Sequence, residues 1–235
     1  MPDGTVIVTG ASRGIGAAIA TALDAAGRRV ACISRSGAAP AGTGYACDVT
    51  DEAALFATIR RIGEAGPVVG LVNNAGQHAQ HRAAEIRAAD FEALMRLNAT
   101  SMLIASRETY PHLKAAGGGL VVNVGSFFDK LGVPHNLAYC ASKAAIAAIG
   151  RCLAVEWAGE GIRVVTVAPG YVETDLNRDF LADEKVRRWL ERRVPVGRPG
   201  TPEEVAGLVA ALFSANNRYL TGETIYLDGG MGMNH

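Results

Sequence analysis

The sequence predicts one α/β domain, a doubly wound parallel sheet of about seven strands with helices on both faces. Short apolar runs alternate along the chain with helical stretches, as they do in successive βαβ units. Most of these runs are continuously apolar, which is typical of parallel strands that are buried on both faces. The chain has 235 residues, of which 49% are hydrophobic, so we expect residues 1–235 to form a single domain.

The predicted strands cover residues 5–9, 29–34, 44–47, 68–73, 120–124, 163–168 and 224–227. Two of the helices between them have clear start signals. The segment Thr50-Asp51-Glu52 combines a capping residue with early acidic residues. The segment Thr201-Pro202-Glu203-Glu204 combines a capping box with a proline at the first helical position.

One long connection, between Pro169 and Pro202, interrupts the alternation of strands and helices. Long insertions in compact domains often cover a binding site, so we predict a substrate lid at about residues 174–199 with a helix at about 183–193. An apolar inner surface is predicted for it from Tyr171, Leu176, Phe180, Trp189 and Leu190. An amphipathic surface helix packed on the domain would give the same pattern, and the two interpretations are compatible.

The first predicted strand runs directly into the glycine-rich segment Gly10-Ala11-Ser12-Arg13-Gly14-Ile15-Gly16, and an apolar helix follows at about residues 15–26. A strand, a glycine-rich turn and a helix open a dinucleotide-binding unit of the Rossmann type. Glycines let the backbone approach a pyrophosphate, and the free N–H groups of the helix N-terminus bind it. Any tight strand-to-helix turn would also favour glycine, so this turn alone indicates the site only moderately.

Ser126, Tyr139 and Lys143 form the second informative pattern. Residues four apart on a helix share one face, which places the lysine beside the tyrosine. A tyrosine hydroxyl, with a reference pKa of about 10, is a poor acid or base at neutral pH, and a nearby ammonium lowers that pKa. The serine hydroxyl can bond the same substrate oxygen. The set predicts proton transfer to a carbonyl or from an alcohol, whereas an isolated tyrosine–lysine pair would be an ordinary exposed pair.

Four motifs, in this order, resemble the short-chain dehydrogenase/reductase family over nearly the whole chain. They are Thr9-Gly10…Gly14-Ile15-Gly16, Asn73-Asn74-Ala75-Gly76, Ser126…Tyr139…Lys143 and Pro169-Gly170…Thr174. The ending Leu220-Thr221-Gly222-Glu223-Thr224-Ile225…Asp228-Gly229-Gly230-Met231 resembles the 3-oxoacyl-carrier-protein reductase type. The resemblance implies the same fold, a substrate loop at the long connection, and a homotetramer assembled through the helices at about 99–115 and 138–159.

The resemblance also implies roles for four candidate catalytic residues. Tyr139 is the acid/base, Lys143 binds the nicotinamide ribose and lowers the tyrosine pKa, and Ser126 orients the substrate oxygen. Asn98 falls where the family has an asparagine in a water-linked proton relay. A plain asparagine in a helix interior is the alternative interpretation of Asn98.

From the motifs and the resemblance together, we expect cofactor contacts at several points along the chain. Asp48 fits an adenine contact, the Asn74–Gly76 segment fits the adenosine side, and the Pro169–Thr174 segment fits the nicotinamide. The full candidate set is Gly10, Ser12, Arg13, Gly14, Ile15, Gly16, Ser34, Arg35, Asp48, Val49, Asn74, Ala75, Gly76, Tyr139, Lys143, Pro169, Gly170, Val172 and Thr174.

The end of the second predicted strand argues for NADP as the cofactor. NAD-binding units place an Asp or Glu roughly 20 residues beyond the glycine turn, where it binds the ribose hydroxyls. Here the strand ends in Ser34-Arg35-Ser36, which would bind a 2′-phosphate rather than repel it. Arg13 in the glycine turn is a second candidate ligand for that phosphate. Two solvated arginines would be the alternative, and an NAD-dependent dehydrogenase that oxidises a small or cyclic alcohol stays open as a second function.

Other residues give weaker signals. The aromatic residues Phe127 and Phe128 follow Ser126, so we expect them, with Tyr171, Leu176 and Trp189, to line the substrate pocket; core packing under the lid is the alternative. His78 and His81 lie just beyond Asn74-Ala75-Gly76. Without further ligands at matched spacing we predict no metal site, and we interpret both as solvated loop residues, with a substrate-facing His78 as a weaker option.

Composition limits the remaining classes of function. Lys and Arg together number 23, as do Asp and Glu, so no basic excess predicts nucleic-acid binding. We expect no signal peptide and no membrane-spanning stretch, and the four scattered cysteines suggest reduced thiols in a cytoplasmic protein. The prediction is an NADP(H)-dependent oxidoreductase that interconverts a small-molecule carbonyl and a secondary alcohol, with acyl thioesters among the candidates. A regulator that binds the nucleotide without catalysis is disfavoured because Tyr139 and Lys143 are both present.

Overall fold

The computed structural model describes residues 3–174, 177, 181–215 and 217–233. Its sheet is parallel and has seven strands in the order β3-β2-β1-β4-β5-β6-β7. The strands are β1 (Thr5–Thr9), β2 (Arg29–Ser34), β3 (Thr43–Ala46), β4 (Val68–Asn73), β5 (Gly119–Val124), β6 (Ile162–Pro169) and β7 (Thr224–Leu227). The predicted fold class is confirmed, and each predicted strand boundary lies within one residue of the observed one.

Helices cover both faces of this sheet. They are α1 (Gly14–Ala25), α2 (Glu52–Glu64), α3 (Ala88–Met95), α4 (Ser101–Ala115), α5 (Leu137–Trp157), α6 (Glu184–Arg193) and α7 (Pro202–Ser214). A π-helical turn, Arg96–Thr100, joins α3 to α4, and a 3₁₀ turn, Phe127–Lys130, follows β5. Both predicted helix starts are confirmed: Asp51 caps α2, and α7 begins with Pro202 and a Thr201–Glu204 capping box.

Two apolar cores lie on opposite faces of the sheet. On one face, Ile19 and Leu23 of α1 pack with Val209 and Phe213 of α7 against the central strands. On the other face, side chains of α2, α4 and α5 pack against the same strands. β4, β5 and β6 are buried at every position, which explains why their sequences are mainly apolar.

The strand order locates the functional site. β1 and β4 are neighbours, and the chain builds outward from them in opposite directions. At such a reversal the loops after the two strands diverge and leave a crevice at the carboxyl ends of the strands, where open α/β sheets bind their ligands. The glycine turn follows β1, Asn74 follows β4 and Ser126 follows β5, so three of the predicted motifs meet at this edge.

One helix departs from the sequence expectation about membranes. The stretch Leu137–Glu160 is long and apolar enough to cross a bilayer by length and composition, with a mean hydropathy of 1.3. Core helices of globular domains pass the same test, and 44% of the 18-residue apolar window in this stretch is buried inside the protein. Because α5 packs against β6 and the 3₁₀ turn after β5, its apolar composition is accounted for by packing.

Among the residues that the structure describes, Phe213 is the largest fully buried side chain, and it packs against a backbone position that has no room for a side chain. A Cβ at Gly70 would lie 2.3 Å from Phe213 Cε1. We expect Phe213→Ala to lower the free energy of unfolding by about 3–5 kcal/mol, because the cavity cannot be refilled from Gly70. Urea denaturation measures this, with Tyr219→Ala, at a site 99% exposed, as the control. A loss below about 1 kcal/mol would contradict this packing.

Candidate active site

The turn after β1 is shaped for close approach by a ligand. Gly14 begins α1 with a φ of 55°, in the left-handed region that favours glycine. Arg13 occupies the N-cap position with no side-chain hydrogen bond to the helix, and the first turn of α1 has no acidic residue. The N–H groups at this helix N-terminus therefore suit an anion such as a pyrophosphate.

Asn74 ties this turn to the end of β4. Its Nδ2 donates to the backbone carbonyls of Thr9 and Gly10, each at 3.1 Å. The Thr9 hydroxyl accepts in return from the backbone N–H groups of Asn74 and Ala75, at 3.0 and 3.1 Å. A Cβ at Gly16 would lie 2.3 Å from Asn74 Nδ2 and also from the Gly10 carbonyl oxygen. Glycine is required at position 16 because the asparagine fills that space.

Ser126, Tyr139 and Lys143 lie together where β5 ends. Tyr139 and Lys143 share one face of α5, with Lys143 Nζ 5.6 Å from the centroid of the Tyr139 ring. A hydrogen bond joins the Tyr139 and Ser126 side chains, and Ser126 Oγ accepts from the Phe128 N–H at 3.3 Å. The structure thus brings a hydroxyl pair and an amine to the crevice that also contains the glycine turn.

Burial determines the pKa shifts of Lys143 and Tyr139. Enclosure by protein lowers the pKa of Lys143 to about 8, and the side chain is only 6% exposed. Burial also raises the pKa of Tyr139, an effect that the hydrogen bond from Ser126 only partly offsets. This differs from the sequence expectation that the lysine lowers the tyrosine pKa. The reason is that loss of solvent favours the neutral form of both groups, while the Lys143 ammonium donates to the Val124 carbonyl at 3.0 Å.

Asn98 occupies the π-helical turn before α4 and is 1% exposed. Its Oδ1 accepts from the Gln77 N–H at 2.9 Å, while its Nδ2 donates to the Gln77 carbonyl at 2.9 Å and to Ser142 Oγ at 3.0 Å. Ser142 in turn donates to the carbonyl of Tyr139 at 2.8 Å. Asn98 is therefore not a plain helix-interior asparagine: it links the loop after β4 to the helix that carries Tyr139, and π-helical turns often mark functional sites.

Comparison with known proteins identifies the family. Residues 10–232 match the profile of a family described as enoyl-(acyl carrier protein) reductase. The chain is 36% identical over 233 residues to the 3-oxoacyl-[acyl-carrier-protein] reductase MabA of Mycobacterium tuberculosis, covering 98% of this chain and 94% of MabA. The chain belongs to the short-chain dehydrogenase/reductase family. It is an oxidoreductase that acts on CH–OH and C=O groups with a nicotinamide cofactor, as that membership implies.

Two further short-chain dehydrogenases/reductases illustrate the range of substrates. The 3-oxoacyl-[acyl-carrier-protein] reductase FabG of Vibrio cholerae is 37% identical over 237 residues, covering 97% of this chain and 96% of FabG. The crystal structure of a gluconate 5-dehydrogenase from Burkholderia cenocepacia in complex with NADP and tartrate is 30% identical. It superposes with a TM-score of 0.93 and covers 100% of this chain and 97% of its own. The resemblance seen in the sequence motifs is confirmed.

The end of β2 presents one buried and one exposed group. Ser34 is 6% exposed, and its hydroxyl bonds Ser36 Oγ at 3.3 Å, whereas Arg35 is exposed. Hydrogen bonds from Thr50 lower the pKa of the Asp48 carboxyl, and the charge of Arg35 adds to the effect. Arg35 and Asp48 are thus close enough to interact across the ends of β2 and β3. Val49 beside them is buried, and Arg13 is exposed.

Aromatic rings line the path from Tyr139 to the long connection. The Phe128 ring lies 5.9 Å from Tyr139, the Tyr171 ring 6.2 Å from Phe128, and the Trp189 ring 5.7 Å from Tyr171. Phe127 packs against both Phe128 and Tyr171. The predicted pocket residues Phe127, Phe128, Tyr171 and Trp189 therefore meet, while Leu176, like Phe180, lies outside the described residues.

The connection after β6 contacts both the pocket and the glycine turn. Pro169 ends β6, Val172 forms a bridge to Gly200, and a Cβ at Gly14 would lie 3.7 Å from Thr174 Cγ2. Helix α6 buries Leu190 against the aromatic cluster but leaves Trp189 46% exposed. The packed-helix interpretation of α6 is therefore correct, and its place over the pocket agrees with the lid interpretation, which stays a prediction.

From the sequence, His78 was only a weaker candidate as a substrate-facing residue, and Asn136 was not selected; in the structure His78 lies beside Tyr139 and Asn136 bonds His78. The His78 ring packs edge-to-face on Tyr139, with centroids 4.9 Å apart, and His78 Nε2 lies 2.6 Å from Asn136 Oδ1. The position of His78 just past Asn74-Ala75-Gly76 was a usable signal. Nothing in the sequence around Asn136 indicated that its side chain would face this histidine.

The low pKa of Lys143 has a consequence for stability. An exposed lysine titrates near 10.5 and buried Lys143 at about 8, so between these values the unfolded chain binds more protons and stability rises with pH. We expect Lys143→Met to be more stable than the wild type at pH 7, because it removes a buried charge, and the difference to shrink from pH 8 towards 10.

Urea denaturation of both proteins at pH 7 and pH 9.5 checks this. Both proteins also carry Tyr139→Phe, so that titration of Tyr139 does not contribute to the difference in stability. Lys185→Met is the matched control, because Lys185 is exposed. If Lys143→Met is less stable than the wild type at pH 7, or if the difference in the free energy of unfolding does not change with pH, the burial argument is wrong.

Proposed function

We propose that this protein is an NADP(H)-dependent oxidoreductase that interconverts a carbonyl and a secondary alcohol, with Tyr139 as the acid/base. The observation that carries the proposal is the meeting of Ser126, Tyr139 and Lys143 at the crevice formed by the ends of β1, β4 and β5. The donor set fits a nicotinamide dinucleotide: an uncapped helix N-terminus without acidic residues, a glycine turn and exposed arginines.

When bound, the nicotinamide supplies or accepts the hydride. Ser126 Oγ donates to the carbonyl oxygen and stabilises the negative charge that develops on it, and loss of such a donor typically costs about 2.7–4 kcal/mol of barrier. Tyr139 holds the proton that this oxygen receives, and its raised pKa keeps the hydroxyl protonated before reduction. Lys143 binds the nicotinamide ribose, and Asn98 with its Gln77 and Ser142 partners holds the relay that restores the proton.

The remaining contacts follow the same proposal. The glycine turn (Gly10, Ser12, Arg13, Gly14, Ile15 and Gly16) holds the pyrophosphate; Asp48, Val49, Asn74, Ala75 and Gly76 hold the adenosine; and Pro169, Gly170, Val172 and Thr174 hold the nicotinamide. Ser34, Arg35 and Arg13 hold the 2′-phosphate. A cytoplasmic homotetramer stays a prediction, supported by Leu103 of α4 and Val155 of α5, which are 40% and 82% exposed.

For the substrate we propose an anionic carbonyl compound of the 3-oxoacyl type. The aromatic walls suit an acyl chain, and one face of α6 beside them carries Lys185, Arg188, Trp189, Arg192 and Arg193. Arg188 is partly neutralised by Glu184, at 3.6 Å. A panel of acetoacetyl-CoA, 5-ketogluconate and cyclohexanone, each with NADPH and with NADH, tests the substrate class; preference for 5-ketogluconate or for cyclohexanone would contradict it.

Tyr139→Phe tests the acid/base assignment. The phenylalanine ring keeps the contacts with His78 and Phe128 but has no proton to transfer, so we expect kcat to fall by at least about 10²-fold, as for loss of a general acid. The dissociation constant for NADPH, measured by fluorescence titration, should stay within about twofold because the hydroxyl is assigned to the substrate oxygen. Activity close to that of the wild type would refute the mechanism.

Arg35→Asp tests the cofactor choice. The arginine offers charge-assisted hydrogen bonds to a 2′-phosphate, whereas an aspartate repels it and accepts from the ribose hydroxyls. We expect the ratio of kcat/KM for NADPH over NADH to fall by about 10²-fold or more, given the size of charged hydrogen bonds. Arg13 would keep some NADPH binding. A wild type that prefers NADH, or a ratio unchanged by the substitution, would show that the assignment is wrong.

A further inference from the structure

Asn136 occupies the N-cap position of α5 but does not cap the helix. Its backbone has φ −111° and ψ 21°, and its side chain makes no hydrogen bond to the first turn. Asparagine is favoured at N-caps because its side-chain oxygen accepts from a helix N–H. Here that oxygen lies 2.6 Å from His78 Nε2 instead, and the Asn136 side chain is buried, at 3% residue exposure. The capping group of the helix that carries Tyr139 is thus used to hold a histidine.

The hydrogen bonds define which way each group points. Asn136 Nδ2 donates to the Pro134 carbonyl at 2.8 Å, which orients the amide so that Oδ1 faces His78. An amide oxygen only accepts, so His78 Nε2 carries the hydrogen in this bond. His78 is therefore anchored as a donor, with one ring orientation.

The backbone next to Asn136 has an unusual conformation that a second hydrogen bond supports. His135 has a φ of 65°, in a left-handed conformation that is uncommon for residues other than glycine. Its carbonyl accepts from the His81 N–H at 2.8 Å, so the loop after β4 and the loop before α5 are joined twice. Such strained positions persist only where surrounding structure holds them, and they cluster at functional sites.

The anchored histidine contacts the Tyr139 ring. The two rings meet at 4.9 Å and 83°, and Phe128 meets the same tyrosine at 5.9 Å and 80°. Tyr139 therefore has an edge-to-face neighbour on each of two sides, a favoured arrangement for aromatic pairs. The same loop reaches α5 a second time through Gln77, Asn98 and Ser142, whose hydroxyl bonds the Tyr139 carbonyl.

We propose that His78 and Asn136 form a positioning pair for Tyr139: the hydrogen bond between them fixes the histidine ring, and that ring holds the phenol where its proton is transferred. This inference rests on the proposed acid/base role of Tyr139. Neither residue touches the reacting atoms, so the effect is on the rate of proton transfer rather than on cofactor binding. A misplacement of the order of 1 Å in an active site can cost about 10²-fold in rate.

The test compares His78→Phe, which keeps a ring but removes the donor, with Asn136→Leu, which keeps the shape but removes the acceptor. With the best substrate of the panel above and saturating NADPH, we expect each variant to lower kcat by about 5- to 20-fold. The dissociation constant for NADPH should change by less than about twofold, because neither residue is assigned to the cofactor. The double variant should be no slower than the slower single variant, because both remove the same contact.

His81→Phe is the matched control, because His81 is a histidine of the same loop and the described ring contacts of Tyr139 are with His78 and Phe128. Its kcat should match that of the wild type. The positioning pair would be ruled out by a kcat within twofold of wild type in both test variants. It would also be ruled out if the loss of kcat in the double variant equalled the combined losses of the two single variants. Tyr139→Phe measured in parallel separates the two proposals. If it is inactive while His78→Phe is unaffected, only the positioning pair fails; if it is active, the acid/base assignment fails as well.

Discussion

The site depends on a lysine amine that is enclosed by protein at the end of β5. Moving an ammonium out of water costs several kcal/mol unless hydrogen bonds and charges compensate, and the pKa of about 8 for Lys143 shows that compensation is incomplete. The Val124 carbonyl accepts one of its hydrogen bonds. The Lys143 amine stays enclosed because α5 packs against the sheet, and β5 and β6 beneath it are fully buried. A loosely packed sheet edge would let the amine reach water and would lose the arrangement with Tyr139.

The loop after β4 connects the two halves of the site. At its start, Asn74 and Thr9 hold the glycine turn that would approach the pyrophosphate. Three residues further along, Gln77 bonds Asn98, and His78 bonds Asn136. One short segment therefore shapes the cofactor turn and also contacts the helix that carries Tyr139. Hydride and proton must arrive at adjacent atoms of one substrate, so a common support for both sites keeps their relative positions fixed.

Much of this structure was predictable from local sequence patterns, whereas contacts between distant segments were not. The strands followed from continuous apolar runs, and the glycine turn and the Tyr139–Lys143 pair followed from spacing within one element. The raised pKa of Tyr139 was missed because burial depends on the whole fold. The His78–Asn136 bond was missed because it spans 58 residues, and because an asparagine before a helix is expected to cap it. The hydrogen bond between the buried Asn73 and Asn123, at 2.9 Å across β4 and β5, was also missed, because their strands were interpreted only as apolar core strands.

The pocket walls explain why the reaction is easier to assign than the substrate. The proposed reacting groups come from the end of β5 and the start of α5. The walls come from three other segments: the 3₁₀ turn after β5, Tyr171 after β6, and α6. Three successive ring contacts, of 5.9, 6.2 and 5.7 Å, separate Tyr139 from Trp189 on the basic face of α6. A compact ketone would meet only the Tyr139 end of this path. Under the proposed assignment, a substrate with its carbonyl at Tyr139 and an anionic group at α6 would be extended, as an acyl thioester is.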